Sequence, residues 1–280
     1  MNPTILALLR SGIIDIETAE RLDRQLDPVQ ARAWAEQLLT QRYAAGLSAQ
    51  QSRLVEFIQA NGYQLSDGQI ATFYEAENRL LAQSVADAIT EVVNERAAIA
   101  AVTVSLSDPF NFVNRQLLTW VDFYTSDVDE PGTVGQLNRT ARQRVGEAFT
   151  RWYNGELGGT ADGLPQLIRA LEPTFGAARA EAIGVTEVTR IFVGMQRAAE
   201  RENPTVTAFR WQTANDELVC PICRPLNGAV IVKTADGFTH PTMGNVGYPP
   251  AHVRCRCGIT PETELTANVG SIFEAINGRR

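Results

Sequence analysis

The chain has 280 residues, of which 44% are hydrophobic and 20% charged, and a net charge of -7. These proportions fit a packed protein of one large or two modest domains and exclude a mainly disordered, collagenous or coiled-coil chain. No apolar run approaches the roughly 20 residues of a membrane span. The last stretch, 201–280, has 8 basic and 7 acidic residues and the rest is net acidic, so the basic stripe with which a primary nucleic-acid binder neutralises phosphate is missing. The opening MNPTILALLRSGIIDIETAE has no basic n-region, long apolar core or cleavage site, and the expectation is cytosolic synthesis and folding without a secretory signal.

The first 200 residues read as helices. Asp27 and Pro28 make an N-cap with proline at the first helical position, opening a helix that is expected to stop at Gly46. Ser48 with Gln51, and Ser66 with Gln69, have capping-box spacing, in which cap hydroxyl and third-position side chain satisfy each other's orphaned donors. A long helix is predicted from about Gly68 to about Ala101, where Ile70, Phe73, Leu80, Leu81, Val85, Ile89 and Val93 recur every three to four positions. Asp108 and Pro109 start another. The polar break Asp127–Gly132, DVDEPG, is the expected boundary, and Thr133 with Gln136 forms a further capping box behind it. A short and a longer helix follow Pro165.

Past Pro204 the pattern alternates. Val206, Ala208 and Arg210 fall on one face of a predicted strand, and Thr207, Phe209 and Trp211 on the other, with Phe209 and Trp211 read as core. Asn227 and Gly228 signal a hairpin into a second strand, Ala229 to Val232, and the remainder to Pro250 reads as irregular loop. The expected fold is mainly α with a small α+β C-terminal module. Its three regions are a helical N-terminal region, 1–130, a helical middle region, 131–202, and a small C-terminal module, 203–280.

All four cysteines, Cys220, Cys223, Cys255 and Cys257, fall within 38 residues, and the first 219 residues have none. The pattern is Cys220-x2-Cys223, then His252-x2-Cys255-x-Cys257. A CxxC turn lets two thiolates reach one ion, and a second pair returning from a distant stretch completes a tetrahedron. If Arg254 to Cys257 is extended, Cys255 and Cys257 point one way and Arg254 and Arg256 the other. Arg224, Arg254 and Arg256 would offset the thiolate charge. A structural zinc site is the leading reading, pinning the loop, with one or two disulfides or free thiols as alternatives. Five candidates compete for four places: all four cysteines, or three of them with His252.

Catalytic patterns are missing. No HxE precedes the CxxC, and HExxH, GxSxG, a GK[ST] phosphate loop and GxGxxG after a strand are all absent. His240 reads as a loop hydrogen-bonder, Glu187 as a structural hydrogen-bond or ion-pair partner, and Asp216 as a cap on the turn that presents the thiolates.

Three stretches together resemble the phage Mu F-like minor head protein family, also called the phage head morphogenesis domain. They are ARAEAIGVTEVTRIF with Thr186 and Glu187; FRWQTANDELVCPICRPLNG with Trp211, Thr213, Asp216, Cys220, Cys223, Leu226 and Gly228; and YPPAHVRCRC with Pro249, Pro250, His252, Cys255 and Cys257. The resemblance covers roughly 135–260. It implies a non-enzymatic minor capsid protein of a tailed phage, assembled in the host cytoplasm and located in the virion near the portal. The implied partners are portal protein or major capsid protein, with transient contact with packaged DNA and, in some phages, entry into the cell with it. It also implies metal binding through the same five residues, Cys220, Cys223, His252, Cys255 and Cys257. Some relatives carry a further C-terminal domain, sometimes toxin-like; the 23 residues after Cys257 are too few for one. The competing expectation is a phage-delivered enzyme, a nuclease or transferase, using a cleft around Glu181, Glu187 and Asp216. A regulatory DNA-binding zinc module is disfavoured by the near-neutral C-terminal charge.

Overall fold

The computed structural model describes residues 3–10, 12, 15–25, 28–62, 65–126, 132–158, 163–214 and 219–263. Among the described residues, eight helices are followed by five short strands: α1 Pro3–Arg10, α2 Ile16–Gln25, α3 Pro28–Asn61, α4 Asp67–Thr103, α5 Pro109–Thr125, α6 Val134–Tyr153, α7 Leu164–Phe175, α8 Ala177–Glu202, then β1 Val206–Gln212, β2 Val230–Val232, β3 Phe238–His240, β4 Gly244–Gly247 and β5 Gly258–Thr263. The fold is mainly α with a small α+β module, as the sequence predicts. Two compact units interleave along the chain, one of residues 1–31, 93–116 and 185–280 and one of 32–92 and 117–184.

Within the second unit, α3 buries Ala35, Leu39, Tyr43, Leu47, Leu54 and Ile58, mostly at intervals of four. The helix does not stop at Gly46, and no new helix begins at Ser48. Both lie inside α3, where the Ser52 hydroxyl donates to the Ser48 carbonyl. Gly46 serves close packing instead, since a Cβ there would stand 2.7 Å from Ser84 Oγ and 2.8 Å from Leu81 Cδ1. The other boxes behave as expected. Ser66 N–H donates to Gln69 Oε1 at 2.9 Å and Gln69 N–H to Ser66 Oγ at 3.3 Å. Asp108 accepts from Asn111 N–H at 3.1 Å, and Thr133 from Gln136 N–H at 3.1 Å. Asp27, with most of the DVDEPG break, lies outside the described residues.

Several buried polar groups of this unit are paired across helices. Gln50 Nε2 donates to Asn138 Oδ1 at 2.7 Å, and Asn138 Nδ2 to Asn78 Oδ1 at 2.8 Å, linking α3, α6 and α4. Arg53 grips the Glu77 carboxylate with two bonds of 2.7 Å. Arg179, at the start of α8, is pulled down to about 10 by burial; it donates to the carbonyls of Thr174 and Leu137.

In the first unit, Ile5, Ala19 and Ile99 bring α1, α2 and α4 together. The C-terminal strands form a three-stranded antiparallel sheet, order β2-β1-β5, and a separate hairpin of β3 and β4. Phe209 and Trp211 are fully buried, as expected, but Val206 joins them on the buried side. The register shifts between Val206 and Ala208 against β5, and the bulge moves Val206 to the opposite face from the one strict alternation assigns. The hairpin lies where the sequence suggests irregular loop. Its strands approach so closely that a Cβ on Gly237 would lie 2.4 Å from Gly247 Cα, and Gly244 and Gly247 take φ of 74° and 70°.

Candidate metal centre

The CxxC turn follows β1. Cys223 N–H donates to Cys220 Sγ at 3.3 Å and Arg224 N–H to the Cys220 carbonyl at 3.1 Å. The turn runs on into the short 3-10 segment Arg224–Leu226, whose Leu226 is buried. Gly228, at φ 80°, then turns the chain back into β2, its N–H bonded to the Trp211 carbonyl at 2.9 Å.

The second group of donors is delivered by the segment between Pro250 and β5. Cys255 N–H closes a turn onto the His252 carbonyl at 3.2 Å, and Arg254 takes φ 61°, left-handed for a residue with a side chain. Cys255 and Cys257 are buried, whereas Arg254 and Arg256 are exposed. This is the inward and outward split that the sequence predicts. It is reached through a turn and irregular backbone instead of a strand. Arg224 is exposed as well.

The five candidate donors gather in two overlapping groups of three. Cys220, Cys223 and His252 form one triad of donor atoms within 4.8 Å of one another, and Cys223, Cys255 and Cys257 form a second. Cys223 belongs to both. Its Sγ lies 3.7 Å from Cys255 Sγ, and two thiolates at about 2.3 Å from a tetrahedral ion stand about 3.8 Å apart. His252 Nε2 sits 2.9 Å from Cys220 Sγ and 3.1 Å from Cys223 Sγ. On the other side of the ring, His252 Nδ1 is 2.7 Å from the Val253 carbonyl. A carbonyl can only accept, so Nδ1 carries a proton, and Nε2 is the nitrogen turned toward the sulfurs, the one a metal ion would use.

Electrostatics agree with a site built for a cation. Hydrogen bonding with Cys223 and Cys257 draws the Cys255 thiol well below its ordinary value, and its bond to Cys255 pushes Cys223 upward. Cys257 is lowered by Cys223 but raised further by Cys255 and by burial, and ends at about 11. Three sulfurs this close cannot all ionise beside one another unless a positive charge joins them. The four cysteines are unbridged. The donors therefore lie close enough to hold a metal ion, and soft thiolates with imidazole suit zinc.

The remaining singled-out residues have structural partners. His240 ends strand β3 instead of lying in a loop, and its Nδ1 accepts from Thr242 N–H at 3.1 Å, the hydrogen-bonding role expected of it. Glu187 is buried and pairs with Arg190 Nε at 2.8 Å. Trp211 stacks edge-on against Phe238 with centroids 5.1 Å apart. Asp216 lies outside the described residues, and with it the expected cap and one of the three carboxylates of the enzymatic alternative. Sequence reasoning did not assign Thr189, whose hydroxyl lies 2.5 Å from the Cys255 carbonyl. The available signal was a pair of threonines three apart, Thr186 and Thr189, in an otherwise apolar buried stripe with Val185, Val188 and Ile191.

The described segment from α7 to β5, with all five donors, can be set against known families. Residues 157–260 match the family described as Phage Mu protein F like protein. The match supports the Mu F-like head morphogenesis family and, through it, a phage head protein. No curated protein and no solved structure matches the chain. Among the described residues no helix is long and apolar enough to cross a membrane.

Proposed function

We propose that this Mu F-like protein is a minor head component of a tailed phage, placed near the portal, whose C-terminal module is held in shape by zinc for docking onto portal or major capsid protein. The carrying observation is that the family match over 157–260 contains all five convergent donors. Cys220, Cys223, Cys255 and Cys257 would hold the ion, or three of them with His252, and Cys223 belongs in either set because it is common to both triads. The ion supplies a cross-link between two distant stretches of chain and no catalysis. Assembly in the host cytoplasm, residence in the virion and transient contact with packaged DNA belong to the same reading. So does the functional division at about residues 130 and 202, with 203–280 as the docking module.

Purified full-length protein, kept reduced, is expected to carry about one zinc by elemental mass spectrometry. No stoichiometric zinc would sink the metal half of the reading. The head half is tested by quantitative mass spectrometry of purified heads with and without portal. The protein should be present at low copy and lost from portal-less heads; retention in those heads would move it to the capsid shell.

A further inference from the structure

The His252–Cys257 segment brings three donors into the cluster with little regular structure of its own, so something outside it must set its shape. Helix α8 reaches it at two points. Thr186 Oγ1 accepts from the Arg254 N–H at 2.8 Å, and Thr189 Oγ1 donates to the Cys255 carbonyl at 2.5 Å. A hydroxyl can play either role. The two threonines are three residues apart, on one face of a helix of 26 residues, and both are buried.

We propose that Thr186 and Thr189 form a positioning clasp that presets the backbone of this segment for cation binding, an inference that rests on the metal reading above. The bonds fall on consecutive residues. One holds the amide of Arg254, the residue in the unfavourable left-handed conformation at φ 61°, and the other the carbonyl of Cys255, a donor in its own right. Fixing those two groups fixes the turn that sends Cys255 inward and Arg254 outward. The Thr189 hydroxyl also lies 3.2 Å from the Val185 carbonyl one turn back. A buried helical threonine satisfies itself in that way without help; the closer approach to Cys255 serves the loop. Groups behind the donors that orient them typically change metal affinity by 10–100-fold when lost.

The test uses the full-length protein, with zinc measured by chelator competition and cobalt(II) as a spectroscopic probe of the thiolate site. Thr186→Val and Thr189→Val keep shape and remove the hydroxyl. Each is expected to weaken zinc binding by about 10–100-fold and to perturb the cobalt spectrum, with the helical far-UV signal unchanged. Thr186→Ser and Thr189→Ser keep the hydroxyl and should stay near the parent. Arg254→Gly added to Thr186→Val should recover part of the affinity, because glycine takes the left-handed conformation without an external hold; a packing role for Thr186 would not be rescued this way. Valine variants equal to the parent, serine variants as weak as the valine ones, or no rescue by glycine would each overturn the clasp. If a valine variant loses its helical signal, the serine and glycine results decide. A parent that binds no zinc refutes the metal reading itself, a different outcome from any of these.

Discussion

The helices of residues 32–92 and 117–184 bury Leu39, Tyr43, Leu54, Ile58, Val85, Phe149 and Trp152, among many others, along whole helix faces. Among the described residues of the module from Val206 to Thr263, nine enter the core cluster beside Val193 of α8, and three of the nine are cysteines. Each fully buried apolar side chain in the helices contributes about 1.5–3 kcal/mol, so length alone supplies stability there. A segment as short as the module gathers fewer such contacts, and the metal cross-link proposed above would make up the difference. On that reading the size of the core, not local propensity, decides how each region is held.

The largest expected effect falls on the module. Cys223→Ser, which removes the sulfur common to both triads, should abolish stoichiometric zinc and the near-UV signal of Trp211, a loss on the order of 10 kcal/mol at neutral pH. The helical far-UV signal should survive. A chelator strong enough to strip zinc should reproduce the result in the parent, and melting of the helices together with the module would contradict the division of labour.

Trp152→Ala is the reciprocal experiment. Loss of this fully buried ring should cost about 3–5 kcal/mol of stability, read by denaturant unfolding, while zinc content stays the same. Gly184→Ala tests close packing against propensity. Alanine is the better helix former by about 1 kcal/mol, yet its Cβ would lie 2.4 Å from Thr40 Oγ1 and 3.0 Å from the Thr40 backbone nitrogen. The expected outcome is net destabilisation of about 1–3 kcal/mol; a more stable protein would show that α3 and α8 separate at little cost. Smallest of all, Ser66→Ala should remove the reciprocal cap of α4 for about 1 kcal/mol, seen as a modest shift in the urea midpoint with metal content unaffected.

How far the sequence could be read differs from element to element. Ser66, Asp108 and Thr133 announce helix starts because a cap is a local bond between residues three apart. Ser48 has the same spacing as Ser66 and caps nothing. Its helix continues because Leu39, Tyr43, Leu47 and Leu54 bury one continuous face across it, and Gly46 answers to Ser84 and Leu81 on another helix. Similarly, the side to which Val206 turns depends on a bulge against β5, some fifty residues later in the chain. The β3–β4 hairpin gives no strand signal in the sequence because its strands, FTH and GNVG, are three and four residues long and mostly polar or glycine.

Two things were therefore written in the order of residues: a helical chain with local start signals, and five candidate metal donors in two clusters flanked by arginines. Both depend on neighbours along the chain or on bare chemistry. Which helix passes through its apparent stop, which nitrogen of His252 faces the sulfurs, that Cys223 joins both triads and that two threonines of α8 grip the loop all required the chain to fold. Those features arise from contacts between segments far apart in sequence, where packing distance and hydrogen-bond geometry, rather than spacing, select the outcome.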